Sequence, residues 1–357
     1  MKVMFQWEGN SFRRARGVDA QAASRRVGRG ARDKKLLALF SCFCLGILLP
    51  FAVFGCAQPG ANRAASGADD KPQVVATSTI IADLTEQVEG DEIQLTGILQ
   101  PGADPHVYEP VPADSQVLEK ADLILYNGYN LEPGIIRLMN AAGLRGRKLA
   151  VGEVVQPLQL EKGKGEIVPD PHVWGDVENS IQMVNAIRDA LIELSPEDKE
   201  QFTQNAARLT AKLKQLDSWI AQQIQTIPAE RRKLVTTHDA FQYYSRAYGL
   251  LIVGTLIGIS TEEQPSAQTV QRLVEAVKAA GVPAIFAETT INPALITTVA
   301  EEAGVKLAPR QLYSDSIGAP GSDGDSYIKM MEANTRTIVE ALGGKYTPFQ
   351  LTGATDK

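Results

Sequence analysis

One apolar stripe places the strongest restriction on how this chain of 357 residues folds. Between Ser195 and Pro228, apolar side chains recur at steps of three or four residues over about nine helical turns. The stripe consists of Phe202, Ala206, Leu209, Leu213, Leu216, Ile220, Ile224 and Ile227. This spacing predicts a single long helix with one buried face. An isolated coiled coil would fit the spacing too, but the stripe lies between two segments of a different pattern, so we interpret it as a helix that packs along both.

On both sides of this helix, short β-rich runs alternate with amphipathic helical patterns. The strand candidates are Val74–Thr77, Ile93–Leu99, Leu123–Tyr126, Leu234–Thr237, Leu251–Thr255 and Ala284–Ala287. Such alternation predicts βαβ units, and therefore an α/β fold of two lobes with mostly parallel sheets, joined by one long helix. The predicted boundaries are residues 73–194 for the N-terminal lobe, 195–228 for the inter-lobe helix, 229–348 for the C-terminal lobe and 349–357 for a tail.

The N-terminal region differs from the rest in charge. The whole chain has 36 Lys and Arg against 42 Asp and Glu, a net charge of −6, but residues 1–55 alone carry +7 and the remainder −13. An uncharged apolar run, residues 36–55, follows the basic residues, as in a secretory signal. The acidic remainder argues against nucleic acid as a partner, because phosphate binding needs a basic surface.

The end of the apolar run is similar to the lipobox of bacterial lipoproteins, in which Cys56 would receive the lipid. The alternative is an uncleaved anchor, since about 20 apolar residues can span a bilayer. We therefore predict an export signal at residues 1–56 and a flexible tether at 57–72. All three cysteines, Cys42, Cys44 and Cys56, lie in the signal. Any metal site in the body must use histidines and carboxylates.

The chain has only three histidines, and their surroundings share features. An Asp-Pro-His-Val-aromatic pattern occurs at both His106 and His172, and His238 ends a predicted strand. Neutral imidazole is the commonest metal ligand in proteins. However, the gap of 66 residues between successive histidines is not a local metal motif, so spacing alone leaves open that they are surface or hydrogen-bonded residues.

Five segments resemble the metal-binding solute receptors of bacterial manganese, zinc and iron importers of the ATP-binding-cassette type. In chain order they read PGADPHVYEPVPAD, DPHVWGDVEN, TTHDAFQYYSRAYG, ISTEEQPSAQ and LYSDSIG. The resemblance runs from about Gln73 to Pro348 and implies one divalent cation in the cleft between two lobes that a rigid helix bridges. It implies four ligands, His106 and His172 from the N-terminal lobe and His238 and Asp315 from the C-terminal lobe.

Other acidic residues compete for roles near this site. Without the resemblance, Asp315, Asp323 and Asp325 could each merely cap the following helix. The resemblance places Glu288 at the same cleft, where it could orient a ligand. Asp239, next to His238, is a candidate for capping its own helix or for orienting an imidazole.

Three imidazoles and one carboxylate suit zinc, whereas manganese prefers oxygen ligands, and iron(II) is a further candidate cargo. In the family that the chain resembles, manganese receptors usually have a carboxylate as the third ligand, unlike His238. Zinc receptors often carry a histidine-rich loop, but residues 161–166 here have no histidine. These two departures point in opposite directions, and the ligand types slightly favour zinc. Because ligation needs neutral imidazole, affinity should fall as the pH decreases.

The resemblance implies a monomeric receptor, anchored on the extracytoplasmic side of the membrane, that delivers metal to a permease with a separate ATPase subunit. It implies no enzymatic activity. The alternative is a secreted zinc-dependent hydrolase with Glu288 as its base, but a fourth protein ligand would displace the catalytic water. The chain has neither a His-Glu-x-x-His nor a Gly-x-Ser-x-Gly motif. Nothing in the sequence requires a third function, surface adhesion.

Overall fold

The segment before the long helix carries a parallel sheet of four strands. The computed structural model describes residues 71–162 and 165–352. The sheet has the order β2-β1-β3-β4. Its strands are β1 (Gln73–Ala76), β2 (Gln94–Gly97), β3 (Leu123–Tyr126) and β4 (Arg147–Ala150). An antiparallel pair follows, made of β5 (Gln159–Lys162) and β6 (Glu166–Pro169). The helices of this N-terminal segment are α1 (Thr79–Glu89), α2 (Pro112–Lys120), α3 (Pro133–Ala141) and α4 (Val177–Leu194).

Seven of the eight stripe residues lie in α5, a helix of 27 residues from Lys199 to Gln225, and Ile227 follows its end. A 3-10 turn at Pro196–Asp198 precedes it, and the Ser195 hydroxyl donates a hydrogen bond to the Asp198 carboxylate at 2.7 Å. All eight residues of the predicted stripe are buried. The sequence-based prediction of one long amphipathic helix therefore agrees with the structure.

The C-terminal segment, after α5, again alternates strands and helices. Its strands pair in parallel, β7 (Lys233–Thr236) with β8 (Leu251–Thr255) and β9 (Ala284–Ile285) with β10 (Lys306–Leu307). Its helices are α6 (Gln242–Tyr248), α7 (Ala267–Ala280), α8 (Ala294–Ala303) and α9 (Tyr327–Ala341). Helix α5 contacts α1 and α4 on one hand and α6 and α9 on the other. The predicted α/β fold with mostly parallel sheets is thus confirmed, while the lobe boundaries stay a prediction.

Four observed strands were not predicted, namely β4, β5, β6 and β10. In β4, Arg147 and Lys148 are exposed, and in β10 Lys306 is exposed. Edge strands of this kind bury few side chains, so they lack the apolar run or the strict alternation by which a strand is recognised in a sequence. Strands β4 and β10 pair with strands that the sequence does indicate, whereas β5 and β6 pair only with each other.

Several predictions fall on residues outside the described ranges. The export signal at 1–56, its Cys56 and most of the tether belong to the first 70 residues. Within residues 71–162 and 165–352, none of the helices combines the length and the apolar character that crossing a bilayer requires. The beginning of the predicted tail is described, and Phe349 packs on Trp219 of α5 with ring centroids 5.4 Å apart.

A buried carboxyl joins the carboxyl ends of two central strands. Glu132, which precedes α3, is 1 % exposed and accepts hydrogen bonds from the Thr77 hydroxyl at 2.8 Å and the Asn127 backbone N–H at 2.7 Å. Thr77 follows β1 and Asn127 follows β3. Burial raises the pKa of Glu132 from its ordinary value of 4.5 to about 7, although these hydrogen bonds oppose the shift.

This raised pKa predicts a specific pH dependence of stability. The native state binds the Glu132 proton more tightly than the unfolded chain does, so the stabilisation is present below about pH 4.5 and is lost as the pH rises through 7. Over that range the free energy of unfolding should fall by about 3 kcal/mol relative to a Glu132→Gln variant. Urea denaturation of both proteins with EDTA at several pH values measures this difference, and parallel pH profiles would contradict it.

Candidate metal centre

Four side chains that are far apart in the sequence converge in the structure. One ligand atom each from His106, His172, His238 and Asp315 lies within 4.8 Å of all the others. The Nε2 atoms of His106 and His172 are 3.2 Å apart. The Asp315 carboxylate lies 3.4 Å from His172 Nε2 through Oδ1 and 3.2 Å from His238 Nε2 through Oδ2. None of the four residues is more than 3 % exposed, so the cluster is closed to bulk solvent.

The repeated Asp-Pro-His sequence builds the same turn twice. Asp104 Oδ1 accepts a hydrogen bond from the backbone N–H of His106 at 2.9 Å, and Asp170 Oδ1 accepts one from the N–H of His172 at 3.0 Å. In each turn the proline between the aspartate and the histidine has no N–H, so the carboxylate accepts the hydrogen bond of the backbone N–H two residues further on. Each histidine therefore leaves its loop in a direction that the local sequence fixes.

Two further carboxylates orient imidazole rings. Asp170 Oδ1 lies 2.7 Å from His172 Nδ1. Glu288 bonds His238 twice, with one oxygen on the ring Nδ1 and the other accepting the backbone N–H at 2.8 Å. Because Nδ1 is occupied in both rings, their Nε2 atoms are the ones that face the cluster. Glu288, which the resemblance places at this cleft, thus contacts His238, and its role in metal binding stays a prediction.

Sequence reasoning missed the role of Asp170 and left Asp239 with two alternatives. The signal for Asp170 was its position two residues before a histidine, the same as that of Asp104. The carboxylate of Asp239 accepts a hydrogen bond from the Gln242 amide at 2.7 Å, while its charge acts on His172 and His238 only at longer range.

The acids that competed with Asp315 are engaged elsewhere. The carboxylate of Asp323 accepts a hydrogen bond from the Tyr313 hydroxyl at 2.7 Å. That of Asp325 accepts the Gly321 N–H at 2.9 Å and lies 2.7 Å from the Lys329 ammonium. Of the three aspartates considered in this loop, Asp315 alone belongs to the cluster.

Strong electrostatic coupling links the members of the cluster. Burial lowers the pKa of His172, but the hydrogen bond to Asp170 and the nearby carboxylates of Asp170 and Asp315 outweigh it and raise that pKa to about 9. Burial also opposes protonation of His238, and the charges of Glu288 and Asp315 raise its pKa well above the ordinary value. Burial would raise the pKa of Asp315, yet the two imidazoles hold it well below its usual range. The carboxylates thus stabilise a positive charge inside the cluster.

The donor set and its spacing fit a bound cation. Among the side chains that the structure describes, His238 Nε2 and Asp315 Oδ1 are buried polar atoms without a hydrogen bond. Such atoms are costly unless a ligand satisfies them. In a tetrahedral site with zinc–ligand bonds of about 2.0–2.1 Å, ligand atoms lie about 3.3 Å apart. Three of the separations, 3.2 to 3.4 Å, are close to that value, with the two from Asp315 taken from its two different oxygens, and all four ligand atoms lie within 4.8 Å of one another.

Comparison with known proteins identifies the family. The chain matches the family described as "ZnuA: Zinc-uptake complex component A periplasmic" over residues 74–341, which is most of its length. The chain belongs to the ZnuA family. Two relatives support this assignment over nearly their whole length. The manganese ABC transporter substrate-binding lipoprotein PsaA of Streptococcus mitis is 38% identical over 315 residues, 87% of this chain and 99% of the relative. The manganese-binding lipoprotein MntA of Halalkalibacterium halodurans is 35% identical, over 84% of this chain and 98% of the relative.

A solved structure of the same type supports the fold of this ZnuA-family member. The periplasmic zinc binding protein TroA from Treponema pallidum superposes with a TM-score of 0.72 at 36% sequence identity. The match covers 76% of this chain and 99% of TroA. The ZnuA family consists of solute-binding receptors and not of enzymes, which supports the receptor interpretation over the hydrolase alternative.

Proposed function

We propose that this protein captures one divalent transition metal ion outside the cytoplasmic membrane and delivers it to an ATP-binding-cassette permease and its ATPase subunit. The observation that carries the proposal is the buried cluster of three imidazoles and one carboxylate, two atoms of which lack a hydrogen bond. In this proposal His106, His172, His238 and Asp315 are the metal ligands, and Glu288 and Asp170 hold two of the imidazoles in place.

The placement of the protein follows from the same assignment. We propose that Cys56 carries a lipid that tethers the receptor to the membrane, as the names of the lipoproteins PsaA and MntA suggest. The receptor acts as a monomer with two lobes, residues 73–194 and 229–348, on either side of the long helix. Its cargo lies between ligands from both segments, so release requires the segments to separate.

The cargo is zinc or manganese, with a slight preference for zinc. Three imidazoles and one carboxylate at these spacings suit zinc, while both oxygens of Asp315 face imidazoles and could serve a metal that takes more oxygen contacts. PsaA and MntA are named for manganese and TroA for zinc. Since zinc generally outcompetes manganese for such sites, affinity measured in vitro does not identify the physiological cargo.

The geometry of Glu288 argues against hydrolysis. A general base must reach the water that it deprotonates. Both oxygens of Glu288 are engaged by His238, and the residue is fully buried. A fourth protein ligand, Asp315, would also occupy the position that a catalytic zinc keeps open for water.

Metal analysis of the protein purified from its native envelope tests the proposal. We expect one zinc or manganese ion per chain by mass spectrometry of the intact protein and by elemental analysis. The same preparation should hydrolyse no peptide, ester or phosphoester. A preparation without bound metal that also takes none up in titration would overturn the receptor assignment. So would zinc-dependent turnover that disappears in a Glu288→Gln variant.

A further inference from the structure

Two hydrogen-bonded bridges connect the N-terminal and C-terminal segments directly beside proposed ligands. We call the contact between Asp104 and Thr261 the Asp104 bridge, and the contacts of Ser316 with Thr79 and Gly102 the Ser316 bridge. Asp104 lies two residues before His106, and Ser316 lies next to Asp315. None of these residues belongs to the cluster of four. Two of them, Thr261 and Ser316, belong to the segments ISTEEQPSAQ and LYSDSIG, in which they have no assigned role.

The Asp104 bridge uses one carboxylate for two purposes. Its Oδ1 accepts the N–H of His106, which fixes the turn before that ligand. Its Oδ2 accepts the hydroxyl of Thr261 at 2.6 Å, and Thr261 lies in the loop after β8. A short hydrogen bond to a carboxylate is stronger than one between neutral groups. The bridge therefore ties the loop after β8 to the turn that presents His106.

The Ser316 bridge is a fully matched set of donors and acceptors. The Ile317 N–H donates to the Thr79 hydroxyl at 3.1 Å, so Thr79 can donate in turn to Ser316 Oγ, 3.0 Å away. Ser316 Oγ also accepts the Gly102 N–H at 2.8 Å and donates to the Ile317 carbonyl at 3.1 Å. Each hydroxyl thereby uses its single proton once. Thr79 begins α1, so the loop that carries Asp315 is held on the N-terminal segment.

A cavity shows which side of the site approaches solvent. It has a volume of about 360 Å³ and is lined by His106, by Tyr129 and Glu153, and by Ile259 and Ser260. The last two residues immediately precede Thr261. The Asp104 bridge therefore lies next to the place where a proposed ligand reaches closest to the surface.

We propose that Thr261 and Ser316, with their partners Asp104 and Thr79, are positioning residues that hold the two segments closed and thereby set how long the metal stays bound. The inference rests on the proposed function. The ligands are almost fully buried, so the metal leaves only after the segments separate, and separation breaks both bridges. A contact that exists only in the closed form shifts the equilibrium towards it by the free energy of that contact.

Kinetics of metal release test this role. The variants Thr261→Val and Ser316→Ala each remove one bridging hydroxyl and no proposed ligand. After loading with zinc and mixing with an excess of a chromophoric chelator in a stopped-flow instrument, each should release zinc about tenfold faster than the natural protein. The double variant should release it about a hundredfold faster if the two bridges act independently. The association rate constant and the stoichiometry of one should stay unchanged.

Matched controls separate bridging from a general effect of losing a hydroxyl. Thr298 bonds the Ala294 carbonyl within α8, and Ser218 bonds the Lys214 carbonyl within α5. Thr298→Val and Ser218→Ala should therefore release zinc at the natural rate. A Thr261→Ser variant keeps the bridging hydroxyl and should do the same. If Thr261→Val fails to fold, the release rate of Ser316→Ala alone still tests the inference.

Three results would distinguish the ways in which the inference can fail. If the natural protein takes up no zinc, the proposed function itself is wrong. If it binds zinc and both bridge variants release it at the natural rate, the function stands and the bridges do not control release. If the variants change the visible absorption spectrum of the cobalt(II)-substituted protein, the hydroxyls act on ligand geometry, and the closing role is overturned.

Discussion

Replacing His172 with alanine should weaken zinc binding about a thousandfold in chelator-competition titrations. A zinc site of four ligands binds with about 10–16 kcal/mol, so an equal share for one ligand is about 2.5–4 kcal/mol, and a central ligand bonded through both ring nitrogens, such as His172, belongs at the upper end. His172 contacts three members of the site, with its Nε2 near His106 and Asp315 and its Nδ1 on Asp170. Its loss leaves the carboxylates of Asp170 and Asp315 facing a void. Unchanged stoichiometry and affinity in the variant would show that the ligand assignment is wrong.

A pair of matched aspartates provides the control for this prediction. Asp315→Asn removes the charge between the imidazoles of His172 and His238 and should also weaken zinc binding by about a hundredfold or more. Asp323→Asn alters a carboxylate of the same loop that accepts the Tyr313 hydroxyl and lies outside the cluster, so its zinc affinity should match the natural protein. Equal losses in the two variants would mean that the loop, and not the Asp315 carboxylate, is responsible. Circular dichroism confirms folding in each case.

The second large effect concerns stability. Replacing Phe202 with alanine should lower the free energy of unfolding by about 4 kcal/mol, because it removes a fully buried aromatic ring and leaves a cavity. Phe202 lies in the first turns of α5 and belongs to a core cluster that includes Leu84 of α1 and Tyr327 of α9. Urea denaturation of metal-free protein measures the loss without a contribution from bound zinc.

An exposed position in the same helical turn is the control. Gln204→Ala changes a side chain that bonds only Glu200 at the surface, and its stability should lie within about 0.5 kcal/mol of the natural protein. If Phe202→Ala were equally mild, the stripe would not be the structural centre of the fold. The folded Phe202→Ala protein should still bind one zinc ion per chain, since the substitution touches no proposed ligand.

The sequence predicted the parts of the fold whose signal is local. The stripe of α5 and the strands β3 and β8 appear where the periodicity places them, because a buried face repeats every 3.6 residues in a helix and a buried strand is a short apolar run. Strands β4 and β10 were not predicted because they lie at sheet edges, where their lysines and arginine are exposed. The sheet topology decides which strands lie at the edges, and a local sequence pattern does not contain that information.

The same limit applied to the metal centre. The repeated Asp-Pro-His pattern drew attention to two histidines, and the turn that it forms depends only on neighbouring residues. Residue spacing alone did not predict that His238 and Asp315 join these two histidines. That prediction came from the resemblance to metal receptors. The backbone contact of Asp170 could have been predicted, since an aspartate two residues before a histidine can accept the hydrogen bond of that histidine's backbone N–H. Its further contact with the ring depends on the rotamer that the packed site selects.

Taken by itself, the sequence determined the secondary structure of the central elements, the long helix, the two Asp-Pro-His turns and the ligand types available in a body without cysteine. Only the tertiary structure decided which carboxylate holds which ring and what holds the two segments together. Glu288 meets His238 across 50 residues, and Ser316 meets Thr79 across 237. The physical reason is that periodicity and turn chemistry are set within a few residues along the chain. Contacts over such separations exist only once tertiary packing has brought both partners together.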